Sequence, residues 1–489
     1  MDTKFSGKQA LWFTLINYFG VLIGTVSTLF IYPYDKDLLG IIRFIDGFAQ
    51  ILYPIMVLGA STALLNFQPK LNDLLQRKLF SYSMISIVWM IFFCAIGVSI
   101  VYWFDWLENK QYFIYGFFIA ICLAYVDLFK RQATNLQKLA VPTFYEKIIP
   151  KITLPLAFVL ILYYGFAETQ GLIFYALSFA IMLLATGLYL FKYFKPVYTL
   201  NYKDLFQEIP KKQYYQYSLY AFSASLGSFF AFRIDSVMIP EFLSNAANGD
   251  FNIGVNLANA LMIPAAGVFA LYSPLISESL KKNDLSVLKI KYADVAKNLF
   301  FIGILLYGCV ILGMKDFFEI LPTADKLLPV LPILYILGGN VVLNMATGFN
   351  TEIIAYSKFY RFNLVAILLL AVVNIGLNYY ILTQTSFGII GVAYASFFAL
   401  LVFNASKMWF IYKKFGLLPI NTKYLKTIAS SVLLIAVAYS LPLDVFKRFD
   451  FIVRCTFFVT AFTLLVYLTG WVPELNQNIS KIKNRVFKK

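Results

Sequence analysis

The stretch YYQYSLYAFSASLGSFFAFRIDSVMIP, from Tyr214 to Pro240, decides how the chain is read. It is long enough to cross a bilayer as a helix, which takes about 20 apolar residues. Yet Arg233 and Asp235 lie in its far half. A charge in hydrocarbon costs from about 3 to more than 10 kcal/mol, and persists where it has a partner or faces a watery cavity. Positions i and i+2 point to nearly opposite sides of a helix, so these two side chains cannot pair with each other. Each must find its partner elsewhere, which makes this an inward-facing helix of a membrane bundle.

The rest of the 489-residue chain agrees: 60% is hydrophobic, 18% aromatic and only 13% charged. Its mean hydropathy is +0.73, whereas a soluble protein carries roughly a quarter of its residues as charges. The excess comes from repeated apolar runs, so the class is an all-α polytopic membrane protein. An outer-membrane barrel would show short alternating segments instead. The net charge of +16 does not point to nucleic acid, because the cations cluster in short loops between the runs. Cys94, Cys122, Cys309 and Cys455 are isolated in apolar surroundings, with no metal or disulfide spacing. Histidine is absent, which removes the commonest general base and metal ligand. Neither GxxxxGK[ST] nor GxGxxG occurs, so nucleotide hydrolysis within this chain is not expected, and neither is a cofactor.

About fourteen spans are expected: 10–31, 41–66, 81–103, 112–131, 147–165, 171–192, 214–239, 251–276, 293–314, 328–350, 362–382, 388–412, 425–442 and 452–472. The first run is too long for a signal peptide and reads as a span. The longest polar connection, 193–213, separates an N-terminal six-helix bundle (1–192) from a C-terminal one (214–412). Residues 413–489 add two helices and a basic tail. Alternate loops hold the cations, among them Lys70, Arg77 and Lys78, then Lys130, Arg131, Lys138 and Lys147. The opposite loops hold only Lys36, Lys110, Lys315, Lys326, Lys447 and Arg448. This roughly fivefold bias places both termini in the cytoplasm. The tail KIKNRVFKK reads as an anchor beside anionic lipid, and the sequon at Asn478 as chance.

A weak repeat links the second and eighth spans. GIIRFIDGFAQILYP begins at Gly40 and GDFNIGVNLANALMIP at Gly249; each carries a proline, Pro54 or Pro264, near its middle. Such prolines interrupt helical hydrogen bonds and serve either as hinges or as static kinks. Parallel repeats related by an axis along the membrane normal are a transporter signature. Polar stripes follow helical spacing: Arg43, Asp46, Gly47, Gln50 and Pro54; Asn252, Asn256 and Asn259; Asn17, Gly24 and Thr28; Ala224, Ser228, Ala231 and Asp235; Asn340, Asn344, Thr347 and Thr351, with Glu352 beyond. Arg43 and Asp46, at i and i+3, can pair. Asparagines also serve as glue between helices at about 0.5–1 kcal/mol per bond, the reading preferred for Asn340, Asn344, Asn374 and Asn378. Asp46 and Asp235 are either counter-ions to the arginines or a proton or cation site. Asp127, Lys130 and Arg131 lie at a helix end and read as structural, snorkelling charges.

Two further stretches carry a family likeness. NLVAILLLAVVNIGLNYYILTQTSFGIIGVAYASFFALLVFNASKMWFIYKKFG, Asn363 to Gly416, resembles the eleventh and twelfth spans of bacterial polysaccharide exporters. IPKITLPLAFVLILYYGFAETQGLIFYALSFAIMLL, from Ile149, is similar to their fifth and sixth. With the span count and the repeat, the chain resembles lipid-linked oligosaccharide flippases of the multidrug/oligosaccharidyl-lipid/polysaccharide exporter superfamily. The resemblance implies two six-helix bundles related by a pseudo-two-fold axis, plus two C-terminal helices. It also implies a cationic cavity lined by the first, second, seventh and eighth spans, which receives an undecaprenyl-pyrophosphate-linked glycan. An arginine fork suits pyrophosphate. The acidic neighbour of each arginine departs from that pattern.

The expected function is therefore a flippase in the bacterial inner membrane working by alternating access. Arg43 and Arg233 would attract the anionic head, and Asn17, Gln50, Asn252, Asn256 and Asn259 would bind sugar. The Pro54 and Pro264 helices would flex. The alternative is a multidrug or metabolite antiporter in which Asp46 or Asp235 binds H+ or Na+. A membrane glycan polymerase or ligase fits less well, lacking histidine and a large outer loop.

Overall fold

The computed structural model describes residues 19–104, 108–197, 199, 201–282, 284–441 and 449–476. Asn17 lies outside them. Every regular element among the described residues is helical. The first ten helices are α1 (Phe19–Tyr34), α2 (Lys36–Val57), α3 (Ala60–Phe67), α4 (Asp73–Trp103), α5 (Phe113–Asn135), α6 (Ala140–Tyr164), α7 (Glu168–Phe191), α8 (Lys203–Glu208), α9 (Lys211–Phe232) and α10 (Asp235–Phe242). The next five are α11 (Asn245–Ala260), α12 (Ile263–Lys281), α13 (Leu285–Ile320), α14 (Ala324–Leu327) and α15 (Leu331–Ala346). The last five are α16 (Asn350–Tyr356), α17 (Arg361–Gln384), α18 (Gly388–Phe415), α19 (Thr422–Ser440) and α20 (Asp450–Thr469).

Ten helices among the described residues are long and apolar enough to cross a membrane, or eleven if the bent pair α9–α10 counts as one span. The difference from fourteen has local causes. The first expected span is described only from Phe19 onward. The eighth is broken after Ala260, into α11 and α12. The thirteenth, α19, carries Lys423 and Lys426 in its first turns, which lowers its apolar character.

The breaks fall in the expected second, seventh, eighth and tenth spans. Between α2 and α3, Leu58 and Gly59 both adopt left-handed backbone, with φ of 45° and 73°. Leu58 N–H donates to the Pro54 carbonyl at 2.9 Å, which closes α2 one turn after the proline. Glycine is required next: a Cβ on Gly59 would stand 1.9 Å from the Ser218 carbonyl oxygen of α9. α9 and α10 meet at 48°, and Arg233 is the residue that ends α9. The expected kink at Pro264 is different in kind. Pro264 sits in the first turn of α12, where its missing N–H interrupts no hydrogen bond.

The chain contacts divide it into two units. Unit 1 comprises residues 1–252 and 378–384, and unit 2 comprises 253–377 and 385–489. In unit 1, α2 packs on α4, α5, α9 and α10, while α7 packs on α5 and α6. Its core includes Phe48 stacked on Phe113 with ring centroids 4.4 Å apart, a geometry worth about 1 kcal/mol beyond the burial itself. In unit 2, α13 is the centre, against α12, α15, α19 and α20. Phe300, Phe301, Tyr424, Phe458 and Phe462 form its core. Trp89, Phe92 and Phe93 of α4 are exposed, as suits a helix surrounded by lipid tails.

Candidate functional site

α2 is held in unit 1 by an apolar face of Leu38, Leu39, Ile42, Ile45, Ala49 and Leu52, all buried. That packing fixes where its polar stripe points. Arg43 Nη1 donates to Asp46 Oδ2 at 3.1 Å, the pairing that the i,i+3 spacing allows. Tyr175 of α7 donates its hydroxyl to the other carboxylate oxygen at 2.9 Å. Asp46 therefore has each oxygen engaged, and its position is set from two helices. Arg43 is not saturated. Its Nε is buried without an acceptor, an uncompensated donor inside the bundle.

Further cations belong to the same neighbourhood. Arg233, exposed at the end of α9, interacts electrostatically with both Arg43 and Asp46. Lys151 of α6 interacts with Arg43 and Lys147, and a Cβ on Gly20 would lie 3.1 Å from its Nζ. Arg43 and Arg233 share Asp46 as their nearby carboxylate, while Lys151 interacts with Arg43 and Lys147 and with no carboxylate, which leaves the group net cationic. Lys151 and Tyr175 are absent from the sequence-based site. Lys151 stands between Pro150 and Ile152, and nothing local to α6 or α7 reveals that either helix meets α2 at Arg43.

Arg233 and Asp235 engage different groups, but not through i,i+2 spacing on one helix: the helix breaks between them, with Arg233 capping α9 and Asp235 opening α10. Asp235 is buried at the start of α10 and accepts a hydrogen bond from Asn378 Nδ2 of α17 at 2.5 Å. The Asn252 amide is engaged within α11: it donates to the Asn248 carbonyl and to Asn248 Oδ1, each at 2.9 Å. Asn248 in turn donates to the Gly40 carbonyl at 2.8 Å. Gln50 is half-buried one turn beyond Asp46. In unit 2, Asn256 is half-buried and Asn259 exposed. Asn404 accepts from both Thr347 and Asn350, at 3.2 and 3.0 Å. Lys407, 1% exposed, donates to Thr351 at 2.5 Å beneath the Phe403 ring. No group of acidic, cysteine or histidine side chains suited to a metal occurs among the described residues.

No known family model matches the sequence, and no protein of curated function matches it. Solved structures do match in fold. The lipid II flippase MurJ, in its inward closed conformation, superposes with a TM-score of 0.69 at 14% identity, covering 94% of this chain and 99% of that one. An inward-facing multidrug resistance MATE family transporter of the MOP superfamily superposes with a TM-score of 0.62 at 13% identity, covering 81% of this chain and 94% of that one. At such identities the likeness is one of fold.

Proposed function

We propose that the chain is a flippase that carries a lipid-linked oligosaccharide or polysaccharide precursor across the bacterial inner membrane by alternating access. The observation that carries this reading is that Arg43 and Arg233 share one carboxylate, Asp46, with Lys151 adding a further cation beside Arg43 and the Arg43 Nε unpaired. A cationic fork within a membrane bundle is costly unless it receives an anion, and a pyrophosphate offers the matching geometry. The fold shared with a lipid II flippase supports the same reading. In this reading both termini are cytoplasmic, as the bias of loop cations favours, and 193–213 connects a 1–192 bundle to a 214–412 bundle. Such a protein moves its substrate without chemical change. Its partners are the undecaprenyl-pyrophosphate-linked glycan and the surrounding lipid, with no nucleic acid.

Reconstitution into liposomes with a labelled lipid-linked sugar tests the proposal. Wild-type protein should expose the label to the opposite leaflet at unchanged mass.

A second reading has its own support. Asp235 is buried and hydrogen-bonded by Asn378, which suits a site for H+ or Na+, and the fold is shared with a multidrug transporter. In that reading Asp235→Asn abolishes drug extrusion, while Arg43→Ala and Arg233→Ala leave glycan export intact.

A further inference from the structure

A cavity of about 350 Å³ lies within unit 1, beyond the Arg43 cluster by roughly 10 Å along α2, given the helical rise from Asp46 to Tyr53. Its volume falls in the range of small-molecule sites, about 300–1,000 Å³. The broken α2–α3 segment supplies Tyr53 and Thr62, α5 supplies Asp127 and Arg131, and α9 supplies Tyr220 and Ser228. Asp127 and Arg131 had the sequence reading of snorkelling helix-end charges. Their side chains instead line this space.

The chemistry of the lining selects an occupant. Asp127 Oδ2 accepts from Ser61 at 2.5 Å, and Arg131 Nε stands 3.6 Å from Asp127 Oδ1. An ionised carboxylate offers about four lone-pair sites, so these two neighbours leave acceptor capacity, and Arg131 keeps donors beyond its Nε. A carboxylate beside a guanidinium is close to neutral as a pair, so neither a bare anion nor a bare cation is favoured. Thr62 and Ser228 add hydroxyls that both donate and accept, and Tyr53 and Tyr220 add aromatic surface with a polar tip. At the break, Gly59 lines the cavity and leaves no room for a side chain, since a Cβ there would stand 1.9 Å from the Ser218 carbonyl oxygen. A small neutral ring with several hydroxyls and one apolar face satisfies all of these groups together.

We propose that this cavity is a binding subsite for one neutral sugar ring of the carried glycan, with Asp127 and Arg131 bridging its hydroxyls. Its biological meaning rests on the flippase reading, but its binding chemistry does not. The test uses the full chain in lipid nanodiscs and free glucose, galactose, mannose and N-acetylglucosamine as probes, read by saturation-transfer NMR. At least one should bind. Ser228→Phe, which fills the space, should abolish the signal. Asp127→Asn and Thr62→Val, which keep the shape, should each weaken binding by about tenfold, the loss of roughly one hydrogen bond. The two shape-keeping variants carry the test if Ser228→Phe fails to fold. Binding of none of the probes overturns the proposal, as does binding that these variants leave unchanged. Lipid-linked translocation is measured in parallel. If it is absent while sugar binding stands, the flippase reading fails alone; if it is present while the probes do not bind, the subsite fails alone.

Discussion

Gly40 and Asn245 approach so closely that a Cβ on Gly40 would stand 1.8 Å from the Asn245 carbonyl oxygen. The relationship is reciprocal. A Cβ on Gly249 would stand 2.1 Å from the carbonyl oxygen of Lys36, and the same offset in sequence separates Gly40 from Gly249 and Lys36 from Asn245. Lys36 Nζ also pairs with Asp250 at 2.5 Å. The repeat detected between the second and eighth spans is therefore a physical one: the starts of α2 and α11 cross at two glycines in equivalent positions.

This crossing predicts a selective sensitivity. Gly40→Ala and Gly249→Ala each force backbone apart and should destabilise the protein by about 3 kcal/mol, at the upper end for overpacking. Gly24→Ala, where a Cβ meets nothing within 4 Å, should be neutral or stabilising. Thermal unfolding of the three purified variants checks the order. Equal melting temperatures would contradict the crossing.

The α2–α3 break should depend on Gly59 rather than on Pro54. Gly59 is left-handed and pressed by Ser218, whereas Pro54 lies a turn earlier inside α2. Gly59→Ala should cut translocation by tenfold or more, equivalent to about 1.4 kcal/mol in the barrier. Pro54→Ala should stay within about twofold of wild type. Initial rates in liposomes distinguish them, and a larger loss from Pro54→Ala would assign the break to the proline.

Around Asp46, removing one partner should be far worse than trimming one hydrogen bond. Asp46→Ala strands Arg43 and should cost about 3 kcal/mol, at the low end for a buried pair because both side chains keep some exposure. Tyr175→Phe deletes one hydroxyl and should cost about 1 kcal/mol. Detergent-resistance or thermal-shift assays give both values.

A pH effect is expected in the 193–213 connection, whose helix α8 is tied to α4 by Lys78 and Asp204 at 2.5 Å. That hydrogen bond from Lys78 holds the Asp204 carboxyl below its ordinary value. A depressed folded-state value means that the stabilisation is complete above the unfolded value of about 3.9, declines below it, and is gone once pH has fallen through the lower folded-state value. Protease cleavage of this connection should therefore rise below about pH 4, and rise similarly in high salt at neutral pH. Asp204→Asn should be cleaved faster at neutral pH and show neither dependence.

The membrane class and the Arg43–Asp46 pair were legible in the sequence because both depend on local spacing: run length in one case, i,i+3 geometry in the other. The separation of Arg233 from Asp235 was expected on a continuous helix, whereas the chain achieves it by ending α9 at one and starting α10 at the other. What escaped has a tertiary cause. A leucine at Leu58 gives no sign of a left-handed turn, and the Ser218 carbonyl that closes on the next residue comes from α9, far away in sequence. Tyr175 and Lys151 are ordinary residues of α7 and α6 until packing brings them to α2. Asn252 lies on a polar stripe, yet its amide is used by Asn248 four residues earlier. Asp127 and Arg131 sit near a helix end, so their chemistry emerges only with the cavity that α3 and α9 complete.

The central claim, that a cationic cluster in unit 1 receives the anionic head of a lipid-linked glycan, is tested most directly by one comparison. Translocation of a labelled lipid-linked oligosaccharide is measured in liposomes for wild type and for Arg43→Ala/Arg233→Ala. Wild type should move the lipid with its mass unchanged, and the double variant should move it at least about a hundredfold more slowly, as loss of two charge-assisted contacts implies. Equal rates for the two proteins, or a product of altered mass, would contradict the account.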